Sequence, residues 1–334
     1  SAQWLADAMR SCGAKLTRPV LERLQPLREA LHTEKSPDDP LPTIENLERQ
    51  LASIPGHVHP ETWLASLPDG TIVGSATLVT FDLDGQKHLA DGRVEVLPSY
   101  RRKGLGRRLY SLLGARARDR GRNTLIGTSY GRMPSGGAFM TAIGAHAGLT
   151  ERESILELDG VDKALLEQWV SPVDGFTPIW WDNRCPDEHI EEYARLSAIF
   201  NDVPMGDINM GDHQRTPDVI RAEEEARAGV GATRWTLAVQ EDATGRLIAL
   251  TEIFFSPNRP GVVQQAITGV NKEARGKGLG RFIKAAMLQR LLSERPDIRE
   301  IRTENATQND AMRHINEALG FKLKDEAVIW QLDL

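Results

Sequence analysis

Apolar and polar residues follow two periods along the chain, and the same order of elements is predicted twice. Short apolar runs bounded by turn residues, such as 72–79 and 247–255, predict strands. Apolar residues three and four positions apart predict a helix after residue 104 and another after residue 278. In the first helix these are Leu105, Leu109, Leu112 and Leu113; in the second they are Leu279, Phe282, Ile283, Ala286 and Met287.

In both halves the predicted order includes a hairpin, a strand, a glycine-rich loop, a helix, a further strand, a short helix and a closing strand. Strands and helices mixed in this way indicate the α/β class. For the first half we predict helices at 1–35, 43–51 and 139–144, and strands at 63–67, 72–79, 124–128 and 154–158. For the second half we predict helices at 187–200, 216–228 and 307–319, and strands at 177–181, 235–239, 247–255, 262–270, 298–304 and 326–333.

The glycine-rich loop is the feature that points to chemistry. It reads RRKGLGR at 101–107 and RGKGLGR at 275–281, with six of seven positions identical at an offset of 174 residues. Glycines let the backbone turn sharply and approach a ligand, and the free N–H groups of a helix N-terminus favour an anion. The loop therefore predicts a phosphate or pyrophosphate site. It is neither a P-loop nor the dinucleotide GxGxxG fingerprint.

A surface turn with solvated charges is the alternative for either copy of the loop. Two copies in the same strand–loop–helix context favour a ligand site instead.

The pattern Arg-x-x-Gly-x-Gly between a strand and a helix resembles the acyl-CoA loop of the GNAT superfamily of N-acetyltransferases. The resemblance covers nearly the whole chain, most clearly 60–158 and 233–332, and is closest to the tandem enzymes, which include the mycothiol synthases. It implies two GNAT-like domains, each a mixed, mostly antiparallel central sheet flanked by helices. We place the N-terminal domain at 1–160, the linker at 161–175 and the C-terminal domain at 176–334.

The resemblance implies acetyl-CoA (coenzyme A) as the anionic ligand and assigns cofactor-binding residues in both halves. Asn305 and Asn309 also match its last motif, where they would bind the cofactor or its waters. Their alternative roles are a helix cap for Asn305 and simple exposure for Asn309. The other implied residues are Val96, Arg101, Arg102, Lys103, Gly104, Leu105 and Gly106, and Val270, Arg275, Gly276, Lys277, Gly278, Leu279 and Gly280.

The halves differ around the loop. Tyr130 stands where the second half has Asn305, and residues 143–145 (Ile-Gly-Ala) replace 319–321 (Leu-Gly-Phe). The first half is thus either a CoA-binding domain without catalysis or a structural half. We predict that the C-terminal domain is the catalytic one.

Acyl transfer to an amine needs a group that removes the amine proton. Glu252, a carboxylate in an otherwise apolar strand, is our candidate for the base; the alternative is a glutamate that points to solvent. By the resemblance, Thr268 and Gln265 contact the acceptor or water. The polar loop at 201–215, with Asp207, Asp212 and His213, either lines the acceptor site or is ordinary surface.

Many GNAT enzymes have a tyrosine that protonates the leaving thiolate, and here Asn316 occupies its position. Asn316 cannot donate a proton in that way. It either binds the thioester region or the acceptor, or is a hydrogen-bonded amide at a helix end.

Composition limits the remaining functions. A net charge of −6 over 334 residues argues against a general nucleic-acid binder. The two cysteines, Cys12 and Cys185, suggest no disulfide framework, and the eight histidines show no metal-ligand spacing. No apolar run is long enough to span a bilayer. We therefore expect a cytoplasmic monomer or homodimer without a metal.

The leading hypothesis is an N-acetyltransferase that transfers acetyl directly from acetyl-CoA to the amine of a small molecule. Two alternatives stay open. One is a non-catalytic acyl-CoA-binding sensor or assembly protein, and the other is an enzyme that acts on a protein or aminoglycoside amine.

Overall fold

The computed structural model describes residues 15–202, 205–212 and 215–334, and it divides into two compact units. Unit 1 comprises residues 15–150, Asp207–Gly211 and Ala327–Leu334; unit 2 comprises Glu151–Gly206 and Asp212–Glu326. The first part of the predicted helix at 1–35, with Cys12, lies outside the described residues, as does His213. The domain limits proposed from the sequence stay a prediction.

Unit 1 is built on strands in the order β1-β2-β3-β4-β11. The sheet is antiparallel from β1 to β3, parallel between β3 and β4, and antiparallel again between β4 and β11. Helix α3 packs its leucines on β2 and β3 and forms the core with them. The elements are α1 (Arg18–Lys35), α2 (Ile44–Ala52), β1 (Val58–Ser66), β2 (Ile72–Phe81), β3 (Leu89–Val96), α3 (Leu105–Asp119), β4 (Thr124–Tyr130), α4 (Pro134–Ala142), the start of β5 (His146–Glu157) and most of β11 (Lys322–Asp333).

Unit 2 is built on strands in the order β5-β10-β9-β8-β7-β6. Its strands pair antiparallel except β9 and β10, which are parallel. The elements after β5 are α5 (Lys163–Trp169), β6 (Phe176–Asp182), α6 (Ile190–Leu196), α7 (Pro217–Gly229), β7 (Thr233–Glu241), β8 (Leu247–Phe255), β9 (Val262–Val270), α8 (Leu279–Glu294), β10 (Glu300–Ala306) and α9 (Asp310–Leu319). The predicted fold class, α/β with mixed and mostly antiparallel sheets flanked by helices, is confirmed.

The predicted closing strands belong to different units from the halves that contain them in sequence. Residues 151–157 of β5 pair with β10 in unit 2, and residues 327–333 of β11 pair with β4 in unit 1. Each closing strand was predicted for its own half, and that part of the prediction was wrong. Strand pairing is non-local, so the apolar pattern of a strand does not determine its neighbour.

Helix α8 is buried on more than the one face predicted. Besides the predicted apolar face, Lys284, Ala285, Leu288 and Leu291 are buried. Helix α5 packs against α8, which explains why α8 is also covered outside its predicted apolar face. The segment at 161–170 thus forms a helix, as its pattern indicated.

Both glycine-rich loops adopt the same backbone conformation. Gly104 and Gly278 have φ of 85° and 83°, and each immediately precedes the first residue of its helix. The one position at which the loops differ is also left-handed, with φ of 62° at Arg102 and 80° at Gly276. A left-handed conformation costs a residue with a Cβ roughly 1 kcal/mol, so the first loop is strained where the second is not.

We predict that Arg102→Gly raises the free energy of unfolding of unit 1 by about 0.5–1 kcal/mol, because it removes this strain. Urea unfolding measures the change. The matched variant Gly276→Arg introduces the same strain into unit 2 and should lower stability. A lower urea midpoint for Arg102→Gly would show that the arginine is not strained.

Candidate active site

A wedge opens in unit 2 between the two parallel strands. β9 and β10 pair only from Val262↔Glu300 to Gln265↔Thr303, although both strands continue further. Beyond that point β9 stays paired with β8, and β10 stays paired with β5. The carboxyl ends of the two strands therefore separate, and ligands bind at such ends in open α/β sheets.

A β-bulge lies beside this wedge. The register of β8 and β9 passes from Ile253↔Gln265 to Thr251↔Thr268, so two residues of β9, Ala266 and Ile267, oppose Glu252 alone. A bulge disrupts the ladder locally and frees backbone groups for other partners. In unit 1 the corresponding strands, β2 and β3, pair without interruption from Gly74↔Val96 to Thr80↔Ala90.

The loop before α8 forms an open cradle of backbone amides. In the part of the chain that the structure describes, no oxygen accepts a hydrogen bond from the N–H groups of residues 276–280. A Cβ added at Gly276 or Gly278 would meet no atom within 4 Å. Free amides, open space and a helix N-terminus fit a pyrophosphate, so the loop residues Arg275, Gly276, Lys277, Gly278, Leu279 and Gly280 fit the cofactor role predicted for them.

The arginine at the start of each loop holds the loop to the preceding strand. Arg275 Nε donates to the Val270 carbonyl at 3.0 Å, and Arg101 Nε donates to the Val96 carbonyl at the same distance. Their remaining donors pair with carboxylates, those of Arg101 with Glu34 and that of Arg275 with Asp202. The two arginines thus shape the cradle, and Arg275 is half exposed above it.

In the first loop Lys103 and Arg102 are exposed, whereas Leu105 is buried and Gly106 lies against the Phe139 ring. The Nζ atom of Lys103 donates to the Ser99 carbonyl at 3.0 Å. The structure therefore brings the predicted residues of each loop together within its own unit.

The three asparagines of the last motif have separate roles. Asn309 caps α9, since its side chain accepts from the Met312 N–H at 3.3 Å. Asn316 donates from Nδ2 to Asn305 Oδ1 at 2.7 Å. Asn305 lies beyond the last β9–β10 pair, and it lines a pocket that also includes Arg152, Ser154, Arg313 and Asn316.

A buried lysine lies behind these asparagines, and sequence reasoning missed it. Lys284 on α8 is only 3% exposed, and its Nζ donates to Asn316 Oδ1. Burial lowers the pKa of Lys284 to about 7. The signal that could have indicated its burial was a lysine between apolar residues of α8. A lysine on a helix is usually exposed, however.

Glu252 is buried in a charged network on the side of the sheet covered by α6 and α7. Its carboxylate accepts from Tyr193 Oη and from Thr236 Oγ1, and it lies 3.5 Å from the Arg234 guanidinium. Arg234 also pairs with Glu224 at 3.0 Å. These are the contacts of an internal ion pair, and the predicted role of Glu252 as the base stays a prediction.

Other predicted residues lie in the core or in unit 1. Gln265 donates to Thr251 and Thr268, whose hydroxyls are 2.8 Å apart, so these polar groups satisfy one another near the bulge. Asp207 belongs to unit 1, where its N–H donates to the Gly148 carbonyl at 2.8 Å. Among the described residues no group of His, Cys, Asp and Glu side chains could hold a metal ion.

Comparisons with known proteins agree with this geometry. Residues 21–135 match the model of the acetyltransferase (GNAT) family. A solved structure described as a tandem GNAT protein from the clavulanic acid biosynthesis pathway is 27% identical, with a TM-score of 0.77, over 95% of this chain and 96% of that chain. Residues 21–135 thus match a GNAT-family domain, and the whole chain is similar in fold to a tandem GNAT protein.

A GCN5-related N-acetyltransferase from Sphaerobacter thermophilus has the same fold. It is 17% identical, with a TM-score of 0.67, over 96% of this chain and 95% of that chain. No curated protein sequence matches the chain. GNAT enzymes generally use acetyl-CoA, which supplies the pyrophosphate that the loop geometry fits. Within the described residues, no helix is long and apolar enough to cross a membrane.

We predict that stability depends on pH through Lys284. The lysine has a pKa near 10.5 when unfolded and about 7 when folded, so the unfolded chain binds more protons between those values. The cost of burying Lys284 is therefore fully present below pH 7 and decreases as the pH rises toward 10.5. Relative to Lys284→Met, wild type should gain up to about 1.4 kcal/mol per pH unit above pH 7. Urea unfolding at pH 6, 7, 8 and 9 tests this, and a stability difference that does not change with pH would contradict it.

We predict that Glu252→Gln acts mainly on stability. The neutral amide weakens the compensation of the Arg234 charge and the contact with Tyr193, which should lower the free energy of unfolding by about 1–3 kcal/mol. If the role of Glu252 is the ion pair and not that of the base, acyl transfer per folded molecule should change less than about tenfold. The free energy of unfolding and the steady-state rate of acyl transfer, measured on the same samples, separate the effect on stability from the effect on catalysis. Unchanged stability with a loss beyond about 100-fold would instead identify Glu252 as the base.

Proposed function

We propose that this protein is an acetyl-CoA-dependent N-acetyltransferase that transfers acetyl directly to the amine of a small molecule, with unit 2 as the active unit. The observation that carries the proposal is a combination found in unit 2. There the amide cradle, the strand wedge, the bulge and Asn305 occur together. Unit 1 keeps the loop and the separating strands, but β2 and β3 pair without a bulge and Tyr130 replaces Asn305.

The chain's groups would act by binding and orientation. The amides of residues 276–280 would hold the pyrophosphate, while the wedge between β9 and β10 would admit the pantetheine arm. Acetyl-CoA supplies an acyl thioester, whose carbonyl carbon is the point of attack for the amine. Backbone N–H groups freed beside the bulge at Ala266 and Ile267 would orient that carbonyl.

Direct transfer is favoured over an acyl-enzyme. Cys185 is fully buried, and its pKa is raised to about 12, mainly by burial. A buried, protonated thiol is a poor nucleophile. In the proposed reaction the amine acceptor attacks the donor without a covalent intermediate on Cys185.

A small-molecule acceptor is favoured by the structural relative from a pathway that makes a small molecule, clavulanic acid. This relative supports the class of acceptor and not its identity.

Unit 1 has to be tested together with unit 2, because the family model matches residues 21–135 and therefore the first loop. Both loops have the same backbone and a glycine with open space beside it. The chain thus offers matched variants at Gly104 and Gly278.

We predict that Gly278→Glu weakens acetyl-CoA binding by more than about 100-fold, since a Cβ at φ of 83° strains the loop and the carboxylate repels the phosphates. Gly104→Glu should leave the site of unit 2 intact. Calorimetric titration with acetyl-CoA measures both, with circular dichroism to confirm folding. Loss only in Gly104→Glu would move the active site to unit 1, and wild type that binds no acetyl-CoA would overturn the proposal.

A further inference from the structure

A line of polar side chains runs from the interior of unit 2 to its wedge. Lys284 on α8 donates to Asn316 Oδ1 on α9, and Asn316 Nδ2 donates to Asn305 Oδ1 on β10 at 2.7 Å. Lys284 and Asn316 are 3% and 5% exposed. Asn305 is half-buried and lies beyond Thr303, the last residue of β10 that pairs with β9.

The lysine determines the direction of every hydrogen bond in this line. An ammonium group can donate but cannot accept, so below its pKa of about 7 Lys284 requires the Asn316 oxygen to face it. The Asn316 amide nitrogen then faces Asn305, whose own oxygen accepts from it. The nitrogen of Asn305 is therefore the side-chain atom that does not face Asn316, at a position of β10 beyond its last pair with β9.

The repeat offers an internal comparison. The offset that relates the two loops places Tyr110 at the position of Lys284, and Met140 corresponds to Asn316 by its spacing from the Gly in 143–145. In unit 1 the Tyr110 hydroxyl is buried and has no hydrogen-bond partner among the described residues. Unit 1 therefore has a polar group at the position of Lys284, but Met140 at the position of Asn316 interrupts the line of amides.

An isolated buried lysine is costly to retain. Burial lowers the pKa of Lys284, whose Nζ donates to Asn316 and lies 5.0 Å from the centre of the Phe321 ring. A methionine would fill the same space without that cost. A role in organising the site accounts for a lysine here.

We propose that Lys284 is a positioning residue that fixes the direction of the Asn316 and Asn305 amides, so that Asn305 presents an N–H donor to an acceptor atom of the acyl-CoA thioester and pantetheine region. The proposal rests on the proposed acetyl-CoA dependence. Asn316, which occupies the position of the tyrosine in many GNAT enzymes, would act here by orienting Asn305 and not by donating a proton.

Two variants test the direction of the line. Asn316→Asp keeps a partner for Lys284 but cannot donate to Asn305, so acetyl-CoA should bind roughly tenfold more weakly. In Lys284→Met the Asn316 side-chain amide is free to rotate by 180°. This variant should bind acetyl-CoA roughly three- to tenfold more weakly, while its urea midpoint should rise. If Lys284 had a purely structural role, its replacement would not be expected to raise stability and weaken acetyl-CoA binding at the same time.

The measurements are calorimetric titration with acetyl-CoA, urea unfolding and Asn side-chain ¹⁵N spectra, all at pH 6, where Lys284 is protonated. In wild type the Asn305 side-chain amide signal should shift on addition of acetyl-CoA, and in Asn316→Asp that shift should be lost. Tyr110→Phe, at the matched position of unit 1, should bind as wild type does.

Wild-type affinity in both Lys284→Met and Asn316→Asp would overturn the role of Lys284 while leaving the proposed function intact, as would an unchanged Asn305 shift in Asn316→Asp. Wild type that does not bind acetyl-CoA would overturn the proposed function, and this inference with it. If Asn316→Asp does not fold, Lys284→Met decides the question alone, because it removes a buried charge and should fold.

Discussion

The separation of β9 and β10 is the constraint on which unit 2 depends. Two parallel strands that stop pairing leave backbone groups and side chains at their ends without a neighbouring strand. β8 and β5 keep the outer edges of both strands paired, so the opening is held rigidly and is not a frayed end. The amide cradle follows β9, while Asn305 lies at the end of β10. One opening thus organises the groups that would bind an anion and those that would bind an acyl thioester.

The two repeats show that a loop and its surroundings can diverge separately. The backbone of the loop is the same in both units, even at Arg102, where it strains a residue with a Cβ. Around it, unit 2 has a bulge and a line of polar side chains, whereas unit 1 has an uninterrupted ladder and Tyr110 with Met140. A helix N-terminus and glycines are sufficient to bind an anion. Chemistry on a thioester needs further groups in the wedge, and those groups differ between the units.

Much of the fold followed from local signals in the sequence. Apolar periodicity predicted the strands and helices, and the helix at 43–51 and the hairpin of β1 and β2 formed as their residues indicated. The loop was identifiable because its glycines and its helix are adjacent in sequence. Pairings between strands distant in sequence could not be identified in this way, so the closing strands were assigned to the wrong units.

The surroundings of single side chains were also beyond the sequence. Glu252 was identified as a carboxylate in an apolar strand, but Tyr193 and Arg234, which bind it, come from elements 59 and 18 positions away. Lys284 was missed because only the packing of α5 and α9 shows that this side of α8 is enclosed.

The central claim, that the cofactor binds at the loop of unit 2, is tested most directly by hydrogen–deuterium exchange with and without acetyl-CoA. Exchange reports the two loops separately in one wild-type sample. We expect acetyl-CoA to slow exchange of the amides at 276–280, which have no hydrogen-bond acceptor among the described residues, with a smaller effect or none at 102–106. Protection confined to 102–106 would contradict it.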